Sequence, residues 1–412
     1  MKYHLFDVVG IELEYMVVNA TSGAVVPAVF DLLADVNGQP SSDWEHEPIS
    51  WSNELAAHVV EFKTTQPQPA ISPLVGAFHA EVQRANQFLQ DRGCCLLPTA
   101  MHPWMDPTVD SGLWPGEGSE IYQTFDRLFN CRSHGWLNLQ SMHINLPFTG
   151  DEEFDRLHSA IRLVLPLLPA LAASSPYKEG KATGFYDSRL LHYRTHCAQI
   201  SVLTGSIVPE PISSQQEYED VVYQPIRAAL PTFDPSGTLR AEWSNARGAI
   251  ARFDRGSIEI RLIDLQENPR MDLAIATLVV ETVKHLIAKH SALEMRQIPT
   301  DQLVTLFQHT IQHAGATTFK NENLMRIFGV TASCTVLELW EQLSQQLVAQ
   351  NNSPVLAFQE ELEIVFRHGT LAERLVHVLG TQPSRTQLRD TYLELADCLH
   401  RGLAFLPKVA GK

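Results

Sequence analysis

Four apolar runs in the first two thirds of the chain alternate strictly, so that every second side chain is polar. Side chains alternate across a strand, and residues two apart share a face. In GIELEY, Glu12 and Glu14 project together while Ile11, Leu13 and Tyr15 face the other way. In HVVEFKT, Glu61 and Lys63 stand opposite Val60 and Phe62. In SMHINLPF, Ser141, His143 and Asn145 stand opposite Met142, Ile144 and Leu146. In SIEIRLID, Ser257, Glu259 and Arg261 stand opposite Ile258, Ile260 and Leu262. A period of two commits these runs to strands with one greasy face each. A chain of 412 residues, 44% hydrophobic, has enough apolar material to bury that face in a real core.

Between the strands lie helical patterns. PLVGAFHAEVQRANQFLQDRG ends on a glycine stop, and EEFDRLHSAIRLVLPLL continues into ALAASSP. Strands separated by long excursions, without a strict βαβ rhythm, predict an α+β fold: a largely antiparallel sheet with helices on its outer face. After about residue 270 the pattern is almost wholly helical, from MDLAIATLVVETVKHLIAKH to TQLRDTYLELADCLHRGLAFL. We therefore expect a catalytic sheet domain over 1–270 and a helical C-terminal layer over 271–412. The stretch 231–250, PTFDPSGTLRAEWSNARGAI, reads as a loop. The helical tail offers surface for a homo-oligomer.

The plain explanation of each alternating strand, taken alone, is an antiparallel sheet with its second face in water. Such faces usually mix lysine, threonine, glutamine and serine, whereas these carry mostly Glu, His and Arg. Two like charges held together raise each other's pKa. A divalent cation removes that cost, and Mg2+ or Mn2+ commonly bridges a few carboxylates to substrate phosphates. Glu12, Glu14, Glu61, His143 and Glu259 suit such a site; His143 alone would read as a hydrogen-bonded core histidine. Arg247, Arg252, Arg255 and Arg261 crowd NARGAIARFDRGSIEIR, and the guanidinium fork suits phosphate and carboxylate. One or two of them would serve as surface residues or as partners of Asp254. No Walker A sequence, Gly-x-Ser-x-Gly or His-Glu-x-x-His occurs, so a nucleotide would be held by metals and arginines. A formal charge of −16 argues against nucleic acid or an anionic membrane as partner. The six cysteines have no metal-ribbon spacing, and the start has no signal-peptide pattern; both point to a reducing cytoplasm.

Together these motifs resemble the glutamate–cysteine ligase family of the second type, carboxylate–amine ligases related in fold to glutamine synthetase. GIELEY is similar to that family's first strand, and NELAAHVVEFKT to its next acidic strand. AMHPWMDP resembles its His-Pro-aromatic segment, and SMHINLPF its central histidine strand. ASSPYKEGKATGFYDSRL resembles its Asn-Ser-Pro loop, which an arginine follows, and RFDRGSIEIRLID its late Glu-x-Arg strand. The resemblance runs in order from residue 10 to about 270. It implies a sheet curved around the active site, of the glutamine synthetase and guanido kinase type. It implies ATP as a substrate, Mg2+ or Mn2+ as cofactor, and small-molecule acid and amine partners. Metal ligands would come from Glu12, Glu14, Glu61, His143 and Glu259. Arg261 would lie near the transferred phosphoryl group, with Arg252 and Arg247 assisting. Lys63, Asn145, Tyr122 and Arg194 would contact substrate or ATP, and Glu54 joins them by neighbourhood.

The chain departs from the family pattern at three places. Asn145 replaces a second histidine, Ser174 replaces the asparagine before Ser-Pro, and Ile121-Tyr122 replaces an Arg-Tyr pair. These departures bear on donor and acceptor, for which glutamate and cysteine are the defaults. Two other readings compete with ligation: a two-metal hydrolase acting on water, and a non-catalytic relative that binds nucleotide.

Overall fold

In the computed structural model, which describes residues 2–350 and 353–407, the predicted strands assemble into one eight-stranded sheet. Strand β1 (Gly10–Asn19) lies in its middle. Along one edge it pairs with β4 (Val59–Thr64), while β5 (Cys94–Leu97) pairs with Met16–Asn19 on the opposite edge. On β4 follow β3 (Ile49–Asn53) and β2 (Asp43–Trp44). The other edge of β1 pairs with β6 (Ser141–Pro147). A short hairpin, β7 (Tyr177–Lys178) and β8 (Lys181–Ala182), stands apart from the sheet. The far edge is β10 (Ser257–Asp264) with β9 (Ala249–Arg252) outside it. Every strand pairing is antiparallel, as the absence of a βαβ rhythm predicts.

The apolar faces point one way. Ile11, Leu13, Tyr15, Phe62, Ile144 and Ile258 are wholly buried against helices on that side. At about 1.5–3 kcal/mol for each fully buried large side chain, this face holds the sheet together. Helices Leu74–Gln90, Gly150–Val164 and Pro269–Lys289 supply the covering layer. Helix Pro269–Lys289 starts sharply because Asn268 Oδ1 accepts from the Arg270 and Met271 amides and proline fills the first helical position. The helical tail is punctuated by capping boxes at Ser291/Glu294, Thr335/Glu338, Thr370/Glu373 and Ser384/Gln387.

One apolar cluster runs from Val9 to Leu399 and draws on both the sheet region and the helical region. A second forms where the polar face of β1 turns apolar. Met16 and Val18 share the face of Glu12 and Glu14, and the C-terminal helices Leu371–Leu379 and Arg385–Arg401 cover them. A buried ion pair, Arg374 Nη1 to Glu267 Oε1 at 2.6 Å, ties the tail to the segment after β10.

The stretch 231–250 is only partly the loop expected of it. A helix runs to Phe233, Ala241–Ser244 form one helical turn, and β9 opens at Ala249. Its mixed composition hid a short edge strand that offers too few residues to show a period. The run WLNLQ before β6 forms turns, in which the Trp136 and Leu137 amides bond back to Ser133.

Candidate active site

The register of the sheet brings the polar residues together. Glu12 lies opposite Lys63 on one side and His143 on the other, Glu14 opposite Glu61, and Glu259 opposite Asn145. Neighbouring strands are about 5 Å apart, so these pairs are contacts. His143 is the hub. Its Nδ1–H donates to Glu12 Oε2 at 2.8 Å, and its Nε2 lies 2.9 Å from Ser141 Oγ. That hydroxyl donates in turn to Glu14 Oε2 at 3.0 Å, which also accepts the Ser141 amide at 2.7 Å. Glu259 Oε1 lies 3.9 Å from His143 Nδ1 and 2.8 Å from Arg261 Nε.

Burial makes this arrangement costly without a counter-charge. Burial opposes the charged imidazole, but the hydrogen bond to Glu12 and the charges of Glu14 and Glu12 lift His143 to about 9. Glu14 is pushed up by burial and by Glu61, against the pull of His143. Glu12 is pulled below its ordinary value; burial works against this, but the hydrogen bond and charge of His143 prevail. Glu54, half-buried beside Tyr122, is held well above the carboxylate range by burial and by Glu14 and Glu61. Burial and the Glu54 carboxyl raise Tyr122 to about 12. The cluster holds more acid than it can ionise unaided.

Two sets of ligand atoms lie within 4.8 Å of one another: Glu12, His143 and Glu259, and Glu14, Glu61 and His143. Four carboxylates with one imidazole form a hard, oxygen-rich donor set, which fits Mg2+ or Mn2+ in preference to zinc or copper.

The other expected site residues separate into two groups. Lys63 Nζ lies 2.8 Å from Glu61 Oε1 and 2.7 Å from Ser52 Oγ; Asn145 donates to Glu12 Oε1 at 2.9 Å. Tyr122 lines a cavity beside the cluster, its hydroxyl accepting from Asn53 Nδ2. Arg247 lies elsewhere, buried with Nε and Nη2 on the Glu210 carboxylate at 2.7 and 2.8 Å. Arg252 stands at the outer strand β9, facing Asp254 at 3.6 Å. Arg194 lines none of the cavities on the polar face. The arginine that lines the smaller cavity with Glu14 and His143 is Arg189, inside the Ser-Pro segment itself and in the first turn of helix Ser188–Tyr193. Its Nε donates to Asp264 Oδ1 at 2.5 Å, and its Nη2 is buried without a partner.

Arg261 shares the face of Glu259 by alternation and stands where a β-bulge begins. The β10–β6 register shifts by one between Ile260 and Ile263, while the Arg261 amide continues the β9 ladder by donating to Gly248 O. The extra residue turns Asp264 onto the polar face, where it receives Arg189. Ser174, which departs from the family asparagine, is fully buried: its hydroxyl donates to Leu265 O and its amide to Asp264 Oδ2. It secures the anchor of Arg189. His102 of the His-Pro-aromatic segment is likewise structural, placed between Gly23 O and the Met105 amide. Cys131 and Cys197 are buried thiols pushed up by burial.

Two cavities flank the cluster on the same face. One of about 440 Å3 opens over Gly10, Glu12, Lys63, Thr64, Asn145 and Arg255. The other, of about 220 Å3, is lined by Glu14, Glu54, Tyr122, His143, Arg189 and Arg261. No helix among the described residues is long and apolar enough to cross a membrane.

Over 384 residues the chain is 27% identical to an uncharacterised protein of Archaeoglobus fulgidus, covering 92% of this chain and 95% of that one. A glutamate–cysteine ligase from Francisella tularensis, crystallised with AMP, superposes with a TM-score of 0.57 at 13% identity over 96% of this chain and 89% of its own. A bifunctional glutathione synthetase from Pasteurella multocida gives 0.60 at 14% identity; this chain, matched over 96%, spans about half (53%) of that longer one. These two likenesses establish the fold. The family described as glutamate-cysteine ligase family 2 matches residues 8–394, nearly the whole chain. The chain belongs to glutamate–cysteine ligase family 2.

Proposed function

We propose that the protein is an ATP-dependent carboxylate–amine ligase that forms an amide through an acyl phosphate, with glutamate as its donor. The observation that carries this reading is a carboxylate–histidine cluster, with arginines, set between two cavities on one sheet face. A carboxylate is a poor acyl donor, and ATP makes it a good one. ATP occupies the larger cavity and the donor acid the smaller, so that the γ-phosphoryl group and the acceptor oxygen meet over the cluster.

Magnesium or manganese, held by Glu12, Glu14, Glu61, His143 and Glu259, supplies neutralisation of phosphate charge when bound. The chain's own residues do the rest. Arg261, held by Glu259 beside the bulge, offsets charge on the transferring phosphoryl group. Arg189, with a free buried N–H, holds the donor carboxylate in line for attack. The carboxylate oxygen forms a bond to phosphorus, and ADP departs with the pair from the broken P–O bond. The amine nitrogen then bonds to the acyl carbon, the C–O bond breaks, and phosphate leaves carrying the proton that nitrogen gives up. No protein nucleophile takes part.

The test is turnover of ATP with Mg2+ and a panel of acids and amines. We expect ADP and phosphate release only when an acid and an amine are both present. Release indifferent to both, or absent with every pair, overturns the reading.

A further inference from the structure

A third cavity, of about 850 Å3, adjoins the smaller of the two site cavities, and Gly135 and His196 line both. The partition between them is thin: a Cβ added at Gly135 would lie 2.9 Å from His196 Cβ. The cavity floor is apolar and rigid, built from Trp104, Met105 and Leu388, all buried. His134 stands in it with Nδ1 accepting from Asn138 and Nε2 facing Glu179 at 3.3 Å. Two guanidinium groups stand at its rim. Arg385 lies over the Trp104 ring at 4.0 Å, and Arg132 makes one long bond to Ser111 O. Among the described residues neither makes an ion pair, although the charge of Asp110 acts on Arg385. The acids on the same wall are engaged, Glu179 by His134 and Asp106 by the Thr108 amide and hydroxyl.

We propose that this cavity is the acceptor site and that it selects an extended amine bearing a carboxylate far from its nitrogen, as a short peptide does. The inference rests on the ligase reading. An acceptor must deliver nitrogen to the acyl carbon beside Arg261, and this neighbouring cavity meets the donor cavity at Gly135 and His196. Its volume lies in the upper part of the roughly 300–1,000 Å3 range that takes drug-sized ligands, and free cysteine leaves most of it empty. Arg132 and Arg385, which line this cavity and not the donor cavity, give a carboxylate two planar partners, with the stem lying along the apolar floor. In cysteine, amine and carboxylate sit on one carbon and cannot reach both ends. A polyamine brings the wrong charge to the rim.

The experiment compares cysteine, triglycine and triglycine amide as acceptors with ATP, Mg2+ and glutamate. Hydroxylamine, which needs no acceptor site, is run alongside to trap acyl phosphate as hydroxamate. We expect hydroxamate formation, and kcat/KM for triglycine about tenfold or more above both its amide and cysteine. In the doubly substituted Arg132→Ala, Arg385→Ala protein, the preference for acid over amide falls to near unity. Equal use of the acid and amide forms, better use of cysteine, or a preference that survives the double substitution overturns the acceptor assignment. Absence of hydroxamate overturns the ligase reading instead. Calorimetric binding of triglycine and its amide to the two proteins then decides the cavity separately: tighter binding of the acid that is lost in the variant supports the carboxylate-reading rim, and no difference overturns it.

Discussion

Glu14 and Glu259 are held on a face whose packing role is small, because the sheet is secured by the opposite side chains. We therefore expect Glu14→Gln and Glu259→Gln to lower ATP turnover by about 100-fold or more, since each removes one anionic ligand from a site that works by charge neutralisation. The Glu14→Gln thermal midpoint should match the parent or exceed it, because the amide relieves like-charge repulsion with Glu61. Melting curves and ADP release on the same samples check both halves. Arg189 behaves differently. Arg189→Ala leaves Asp264 and the neighbouring Asp187 buried without their cation, and loss of one partner from a buried ion pair costs about 3–5 kcal/mol. Chemical denaturation should show that loss. The sequence motif pointed to an arginine after the Ser-Pro loop, and neighbourhood suggested Arg194. Only the turn ahead of helix Ser188–Tyr193, capped by Asp187, decides that Arg189 faces inward. That choice depends on three-dimensional closure against Asp264, 75 residues away. Arg247 shows the reverse error: its charge suggested phosphate, and Glu210, remote in sequence, holds it.

At the level of single elements, the four alternating strands were legible because their period is short and their two faces differ sharply. β3 escaped notice: ISWSN is brief, and its Ser52 reveals a role only when it pairs with Glu61. The bulge in β10 was illegible for a deeper reason. A strict alternation of Glu259, Arg261 and Ile263 reads as a regular strand, and the extra residue shows only in pairing with β6. Gly248 makes room for it: a Cβ there would meet Leu262 Cδ1 at 2.4 Å. Gly248→Ala should therefore overpack the bulge and cost about 1–3 kcal/mol. It should also lower turnover, because Arg261 moves with Leu262. A variant with parental stability and rate would show that the bulge tolerates displacement.

Across the whole molecule, the helical tail does more than cover the core. Its last helices cap the apolar end of the β1 polar face and carry Arg385 and Leu388 to the neighbouring cavity. The same dense packing sets a pH dependence. Burial, with the charge of a neighbouring cation or histidine, depresses His58 and His158 to about 3 and His102 to about 4. A depressed folded value means the unfolded chain binds more protons below about pH 6.5. Stability contributed by these neutral histidines is complete above that pH and is lost as pH falls toward the folded values. The urea midpoint should drop on acidification from pH 6.5 to 5, and His158→Leu should lessen the slope. An unchanged slope would assign the acid sensitivity to other groups. The central claim, that ATP activates a carboxylate over the glutamate–histidine cluster, is tested most directly with a donor acid labelled with 18O in its carboxylate. Transfer through an acyl phosphate predicts one 18O in each inorganic phosphate released during amide formation. Phosphate free of 18O, its fourth oxygen drawn from water, would contradict the account.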